Sequence, residues 1–142
     1  FVLYIVGNLG WQKYRYWQDE KTAQEAMEGI KKWQQEDYER AMADTYGGKT
    51  PQETLQMYID AVEKGDYELA GKYFVLEKQE DGENALIKTY ENGNVDFLLE
   101  YLIKVKKEKG YFSTNKNIFT IEKPIFVELI LYPNGIWKII EI

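Results

Sequence analysis

Ile118-Phe-Thr-Ile-Glu-Lys-Pro-Ile-Phe-Val-Glu-Leu-Ile-Leu-Tyr-Pro-Asn-Gly-Ile-Trp-Lys-Ile-Ile-Glu-Ile142 decides the fold. Short apolar runs rich in Ile, Phe and Val, broken by Pro and Gly, read as successive strands of a β-meander. Pro124 falls between two strand segments, where an edge or bulge tolerates a residue without an N–H. Tyr132-Pro133-Asn134-Gly135 fits a type I turn with Pro second and Gly left-handed, closing a bulged hairpin. In that register Leu131, Leu129 and Val127 share a face with Trp137 and Ile139. Glu128 and Lys138 then share the other face, close enough to pair diagonally. A two-residue Asn-Gly turn would instead set Glu128 opposite Glu141, a like-charge pair; the Pro133 register is preferred because it uses that ring's fixed φ.

Everything before this stretch reads mainly as helix. Helices first and an antiparallel meander last describe an α+β domain with helices packed on one face of a curled sheet. The 142 residues suffice for one domain with a sizeable core. A net charge of −6 disfavours nucleic acid, because an acidic surface repels phosphate backbones. The most basic run, residues 104–109, is interrupted by Glu108 and reads as a solvated helix end. The chain has no cysteine and no histidine. Disulfides, thiolate chemistry, Cys/His zinc sites and imidazole catalysis are therefore excluded. The single serine, Ser113, lies in a polar stretch, so any chemistry would fall to carboxylates, lysines and tyrosines. No catalytic set, metal or cofactor is expected.

The front of the chain, Phe1-Val-Leu-Tyr-Ile-Val-Gly-Asn-Leu-Gly10, is apolar but too short by itself to span a bilayer, which takes roughly 20 residues. Trp11, Lys13, Tyr14, Arg15, Tyr16 and Trp17 then interleave rings with cations, a mixture suited to a membrane–water interface. Residues 1–10 are read as the tail of a membrane anchor; an amphipathic helix docked on a protein surface is the alternative. A type IV pilin would need Glu at position 5 and a longer apolar run, whereas position 5 is Ile and charge begins at Lys13. Residues 12–43 are polar and proline-free, with Ala23, Met27, Ile30, Trp33, Ala41 and Met42 at mostly helical intervals. They suggest a long stalk helix whose narrow stripe needs a partner surface. The domain boundary is placed between residues 46 and 47, giving segments 1–46 and 47–142.

Ala43-Asp-Thr-Tyr-Gly-Gly-Lys-Thr50 mimics a relaxed phosphate-binding loop. The segment before it is charged and helix-like, whereas a phosphate cradle follows a buried strand. Gly47 and Gly48 are instead read as the end of one helix, and Thr50-Pro51-Gln52-Glu53 as a capping box opening the next. That helix presents Leu55, Tyr58, Ile59 and Val62, stops at Lys64-Gly65, and gives way to a short helix capped by Asp66. Residues 77–83 read as an acidic solvated turn, followed by helices over 84–90 and 94–107.

Residues 50–74, Thr-Pro-Gln-Glu-Thr-Leu-Gln-Met-Tyr-Ile-Asp-Ala-Val-Glu-Lys-Gly-Asp-Tyr-Glu-Leu-Ala-Gly-Lys-Tyr-Phe, resemble the opening helices of the NTF2-like superfamily, the cystatin-like α+β cone. Asn134-Gly-Ile-Trp-Lys-Ile139 is similar to its closing hairpin. The likeness covers residues 50–142 and is strongest to uncharacterised bacterial members with a membrane anchor. It implies a cone fold and an extracytoplasmic setting, which the absence of cysteine also fits. The superfamily includes isomerases, dehydratases, transport factors and non-catalytic assembly domains. Its enzymes commonly use an Asp or His base within the cone. This chain has no His and no Asp in its terminal strands, and its three or four strands imply a shallow cone.

The expected function is non-catalytic: an envelope-tethered binding or self-assembly domain, homo-oligomeric through the N-terminal helix, as in a surface multimer or filament. Trp11, Tyr14, Trp17, Ile30 and Trp33 are the candidate membrane or assembly contacts. The alternative is a small apolar ligand in a pocket lined by Tyr58, Tyr73, Phe74, Tyr101, Phe126 and Trp137, with Glu128 as the candidate base.

Overall fold

The structure is a computed structural model describing the backbone of residues 2–142 and the side chains of residues 20–142 other than Ile30 and Trp33. It contains two compact units, Phe1–Arg40 and Ala41–Ile142. The first is built on helix α1 (Val2–Ala43), which ends in the second. Residues 20–29 are exposed on every side of α1, including Ala23 and Met27. Among the described residues, no helix is long and apolar enough to cross a membrane. Trp11, Tyr14, Trp17, Ile30 and Trp33 lie outside the described side chains.

The second unit is α+β, with helices α2 (Pro51–Glu63), α3 (Tyr67–Lys72), α4 (Gln79–Glu91) and α5 (Val95–Lys106). Strands β1 (Tyr111–Phe112), β2 (Ile118–Ile121), β3 (Val127–Leu131) and β4 (Trp137–Glu141) form an open antiparallel sheet in sequential order. Local chemistry accounts for the boundaries. Thr50 Oγ1 accepts a hydrogen bond from Glu53 N at 3.1 Å, Pro51 occupies the first turn, and Gly65 follows α2 with φ +73°. Asp66 Oδ1 accepts from Leu69 N at 3.1 Å and opens α3. The capping box differs in one detail: Glu53 Oε2 reaches back to Lys49 N, at 2.7 Å, one residue before the cap.

Helix α4 begins earlier than the sequence suggests, so residues 79–83 are helical rather than a turn. Gly82 lies inside it, buried against Phe74, where an added Cβ would come within 2.7 Å of the ring. Here glycine serves close packing, and the packing outweighs its low helix propensity.

The core forms where α2 and α5 meet the sheet. Leu55, Tyr58, Ile59 and Val62 of α2 are buried, as their spacing predicts, with Leu102 and Val105 of α5. Phe119, Leu129 and Ile139 align across β2, β3 and β4. The closing hairpin takes the expected turn: Gly135 has φ +86°, and its N–H donates to Tyr132 O at 2.9 Å. Leu131 pairs with Trp137 and Leu129 with Ile139, as the Pro133 register requires.

The expected Glu128–Lys138 pairing is corrected. The register shifts between Glu128 and Leu129, so Glu128 sits opposite Glu141, while Ile130 keeps its place opposite Lys138. A bulge places one extra residue in β4 and moves the carboxylate past the lysine.

Candidate functional site

Lys138 occupies the sheet face where alternation predicts a solvated side chain, yet it is 0% exposed. Its ammonium sits 2.8 Å from Asp44 Oδ2 and donates to Tyr46 O at 2.7 Å and to Lys72 O. Three donors thus meet three acceptors, the condition under which a buried ammonium is tolerated. Tyr132 adds a ring face 5.8 Å away. Asp44 Oδ1 accepts from Tyr46 N at 2.9 Å, and Oδ2 has no other partner than the ammonium. Burial pushes the Lys138 amine below its ordinary value, opposed by the hydrogen bond and charge of Asp44. With no solvent path and every proton engaged, this lysine is an architectural group.

The loop supplying Asp44 is the glycine-rich segment that mimics a phosphate cradle, and three of its N–H donors are already committed. Tyr46 N goes to Asp44, Gly48 N to Thr54 Oγ1 at 2.8 Å, and Lys49 N to Glu53. A phosphate cradle needs such N–H groups free and convergent. Gly48 O accepts from Trp137 N at 2.9 Å, and Thr54 Oγ1 donates to Trp137 O at 2.8 Å. Gly47 lies so close to β4 that a Cβ would fall 2.4 Å from Trp137 O. The loop is a strap laid along the edge of the sheet.

A concave surface lies elsewhere, between α4, α5 and the ends of β2 and β4. It has two lobes that share Thr89 and Leu98. The first, of about 340 Å³, has Tyr58, Phe74, Leu86 and Ile140 in its walls, with Lys78, Asp81 and Glu141 at its polar rim. The second, of about 650 Å³, is bounded by Phe97, Tyr101, Pro124 and Ile125, with Asn94 as a polar group. Phe97 is 61% exposed, its ring edge-on to Tyr101 with centroids 4.9 Å apart. Lys78 is engaged with Ile140 O at 2.9 Å and Glu141 at 3.5 Å.

The sequence-derived pocket residues do not converge on one cavity. Tyr58 and Phe74 line the first lobe and Tyr101 the second. Tyr73 and Trp137 are core residues, and Phe126 is 46% exposed; none of the three lines either lobe. Glu128 is half-buried opposite Glu141 and lines neither lobe. Burial pushes the Tyr58 phenol upward, and burial together with Asp60 and Asp66 does the same for Tyr73. Among the described residues, no cluster of His, Cys, Asp or Glu is placed to hold a metal ion. Sequence reasoning missed Phe97 and Ile125. The available signal for Phe97 was its place one helical turn before Tyr101 on α5.

Compared with family models, with curated proteins and with solved structures, the chain matches none of them.

Proposed function

We propose that this chain is a non-catalytic binding and self-assembly domain carried on a helical stalk and tethered at a cell envelope. The observation that carries the reading is the open two-lobed groove with the exposed Phe97 ring in its wall. Exposed apolar surface of this kind, rimmed by polar groups, is what protein interfaces use. The groove walls are mainly apolar, with Lys78, Asp81 and Glu141 at the rim of the first lobe. The tether, the extracytoplasmic setting and the NTF2-like cone are the finer parts of the proposal. They rest on the apolar front segment and on the likeness of residues 50–74 and 134–139.

A second reading is favoured by the lobe volumes, which fall in the range of about 300–1,000 Å³ typical of small-ligand sites. In that case the groove takes a small apolar molecule.

Molar mass in solution, measured by light scattering on residues 1–142 and on Ala41–Ile142, tests the first reading. The shorter chain begins at Ala41 because Asp44 and Tyr46 belong to the folded unit. A defined multimer for the long chain and a monomer for the short one is expected. A monomer in both cases refutes self-assembly and leaves the ligand reading.

A further inference from the structure

We infer that Asn92 is a self-modifying site: the Gly93 nitrogen converts its side-chain amide to a carboxylate, and the product unlocks the corner between α4 and α5. The chain has two Asn-Gly pairs, Asn92-Gly93 and Asn134-Gly135. Glycine after asparagine offers the least hindered backbone nitrogen, because no Cβ obstructs ring closure. The two nitrogens are held alike: Gly93 N donates to Tyr90 O and Gly135 N to Tyr132 O, each at 2.9 Å. The side chains differ. Asn134 is tied at both ends, with Nδ2 donating to Asp44 O at 2.6 Å and Met42 O at 3.3 Å, and Oδ1 accepting from Ile136 N at 3.3 Å. Asn92 is exposed, and among the described residues none hydrogen-bonds its side chain. It also stands at the end of α4, where a helix frays most readily. The related Asp81-Gly82 pair is locked inside α4, with Gly82 against the Phe74 ring.

In the reaction, Gly93 N gives its proton to hydroxide and bonds to Asn92 Cγ. The Cγ–Nδ2 bond breaks, and the amide nitrogen takes a proton from water and leaves as ammonia. Water then opens the resulting succinimide at either carbonyl, giving aspartate or isoaspartate. The place of the pair gives the product its effect. The bonds from Gly93 N to Tyr90 O and from Asn94 N to Thr89 O, both 2.9 Å, form a Schellman cap, with Gly93 at φ +71°. Asn94 O accepts from Leu98 N at 3.0 Å and opens α5. Isoaspartate routes the main chain through its side chain, so one extra carbon enters between Asn92 Cα and Gly93 N. Both cap bonds span that link and lose their geometry across the longer chain. Either product also adds negative charge at a helix C-terminus, where the dipole disfavours it. Thr89, Asn94 and Leu98 line the second lobe, so the change reaches the groove.

The test ages full-length protein at mildly alkaline pH, in ordinary and in heavy-oxygen water, and follows both Asn-Gly peptides by mass spectrometry. Asn92 is expected to convert at least about ten times faster than Asn134, because one net hydrogen bond of tethering already counts for up to that factor. In urea the two rates are expected to converge, which assigns the difference to the fold. Equal rates in the folded protein, a faster Asn134, or a ratio that persists in urea overturns the inference. Amide hydrogen exchange on the aged protein tests the consequence. Faster exchange at Gly93 and Asn94 is expected in the isoaspartate form, with Asn92→Asp as the control for charge alone. Unchanged exchange at both amides leaves the modification standing and overturns the unlocking of the corner.

Discussion

The two sides of the folded unit treat their exposed surface in opposite ways. Along the outer edge of β4, every backbone group from the turn to the bulge finds a partner. Trp137 is met by Gly48 and Thr54; Ile139 N donates to Tyr73 O, and Ile139 O accepts from Val75 N at 2.8 Å. Phe74 bridges to Ile139 in parallel and adds a short rung to the sheet. At the α4–α5 groove, by contrast, apolar side chains stand open and few polar groups converge. An edge sealed by strap, ion pair and bridge cannot recruit another strand. The difference teaches that this domain stores its polar complexity along the sheet edge and leaves the walls of the groove mainly apolar.

The largest effect that breaks this contrast is expected from the ion pair. Asp44→Ala leaves a buried ammonium without its counter-charge and is expected to cost about 3–5 kcal/mol in urea unfolding. The double variant Asp44→Asn with Lys138→Met removes both charges and keeps an acceptor for Tyr46 N, so it should cost less than either charge-removing single change. A double variant as unstable as Asp44→Ala would contradict the assignment of the pair.

Gly47→Ala comes next, because its Cβ would meet Trp137 O at 2.4 Å. A loss of about 1–3 kcal/mol is expected, the usual range for overpacking. An unchanged unfolding midpoint would show that the strap can lift from β4 without cost.

Alkaline pH sharpens the comparison from inside the core. The folded-state pKa of Tyr58 lies above its ordinary value of 10.0, so above that pH the unfolded chain loses this proton first. Stability from Tyr58 is complete below pH 10 and falls as pH rises, by at most about 1.4 kcal/mol per pH unit for one proton. Lys138 acts oppositely: its folded pKa is lowered, so its contribution rises with pH up to the unfolded value of 10.5. Tyr58→Phe should therefore flatten the decline above pH 10, read from urea midpoints across pH 8 to 11.5. An identical decline in the variant would exclude Tyr58 as its source.

The smallest effect is at the bulge. Glu128→Lys replaces a carboxylate facing Glu141 by an opposite charge, and a gain of about 0.2–1 kcal/mol is expected. A loss would mean that the two carboxylates do not oppose each other in solution.

Much of the architecture was legible because its signals are local. Thr50 with Pro51, Gly65 with Asp66, and Pro133 with Gly135 each act within a few residues, and each took the conformation its chemistry requires. The α2 core face followed from helical spacing alone. Gly82 was misread because a glycine beside acids signals a turn unless a ring elsewhere in the chain demands a missing Cβ. The groove was half legible: Tyr58, Phe74 and Tyr101 were recognised as aromatic lining, but their division between two lobes depends on how α4 and α5 approach the sheet.

By itself, then, the sequence determined the α+β class, the helix caps, the hairpin turn and the alternation that places Leu129 beside Ile139. Only the tertiary structure decided the fate of Lys138, whose acceptors lie on Asp44, Tyr46 and Lys72, and the bulge that sets Glu128 against Glu141. The physical reason is range. Torsional preferences and capping bonds act between chain neighbours, whereas desolvation of a charge depends on whatever the whole fold brings around it.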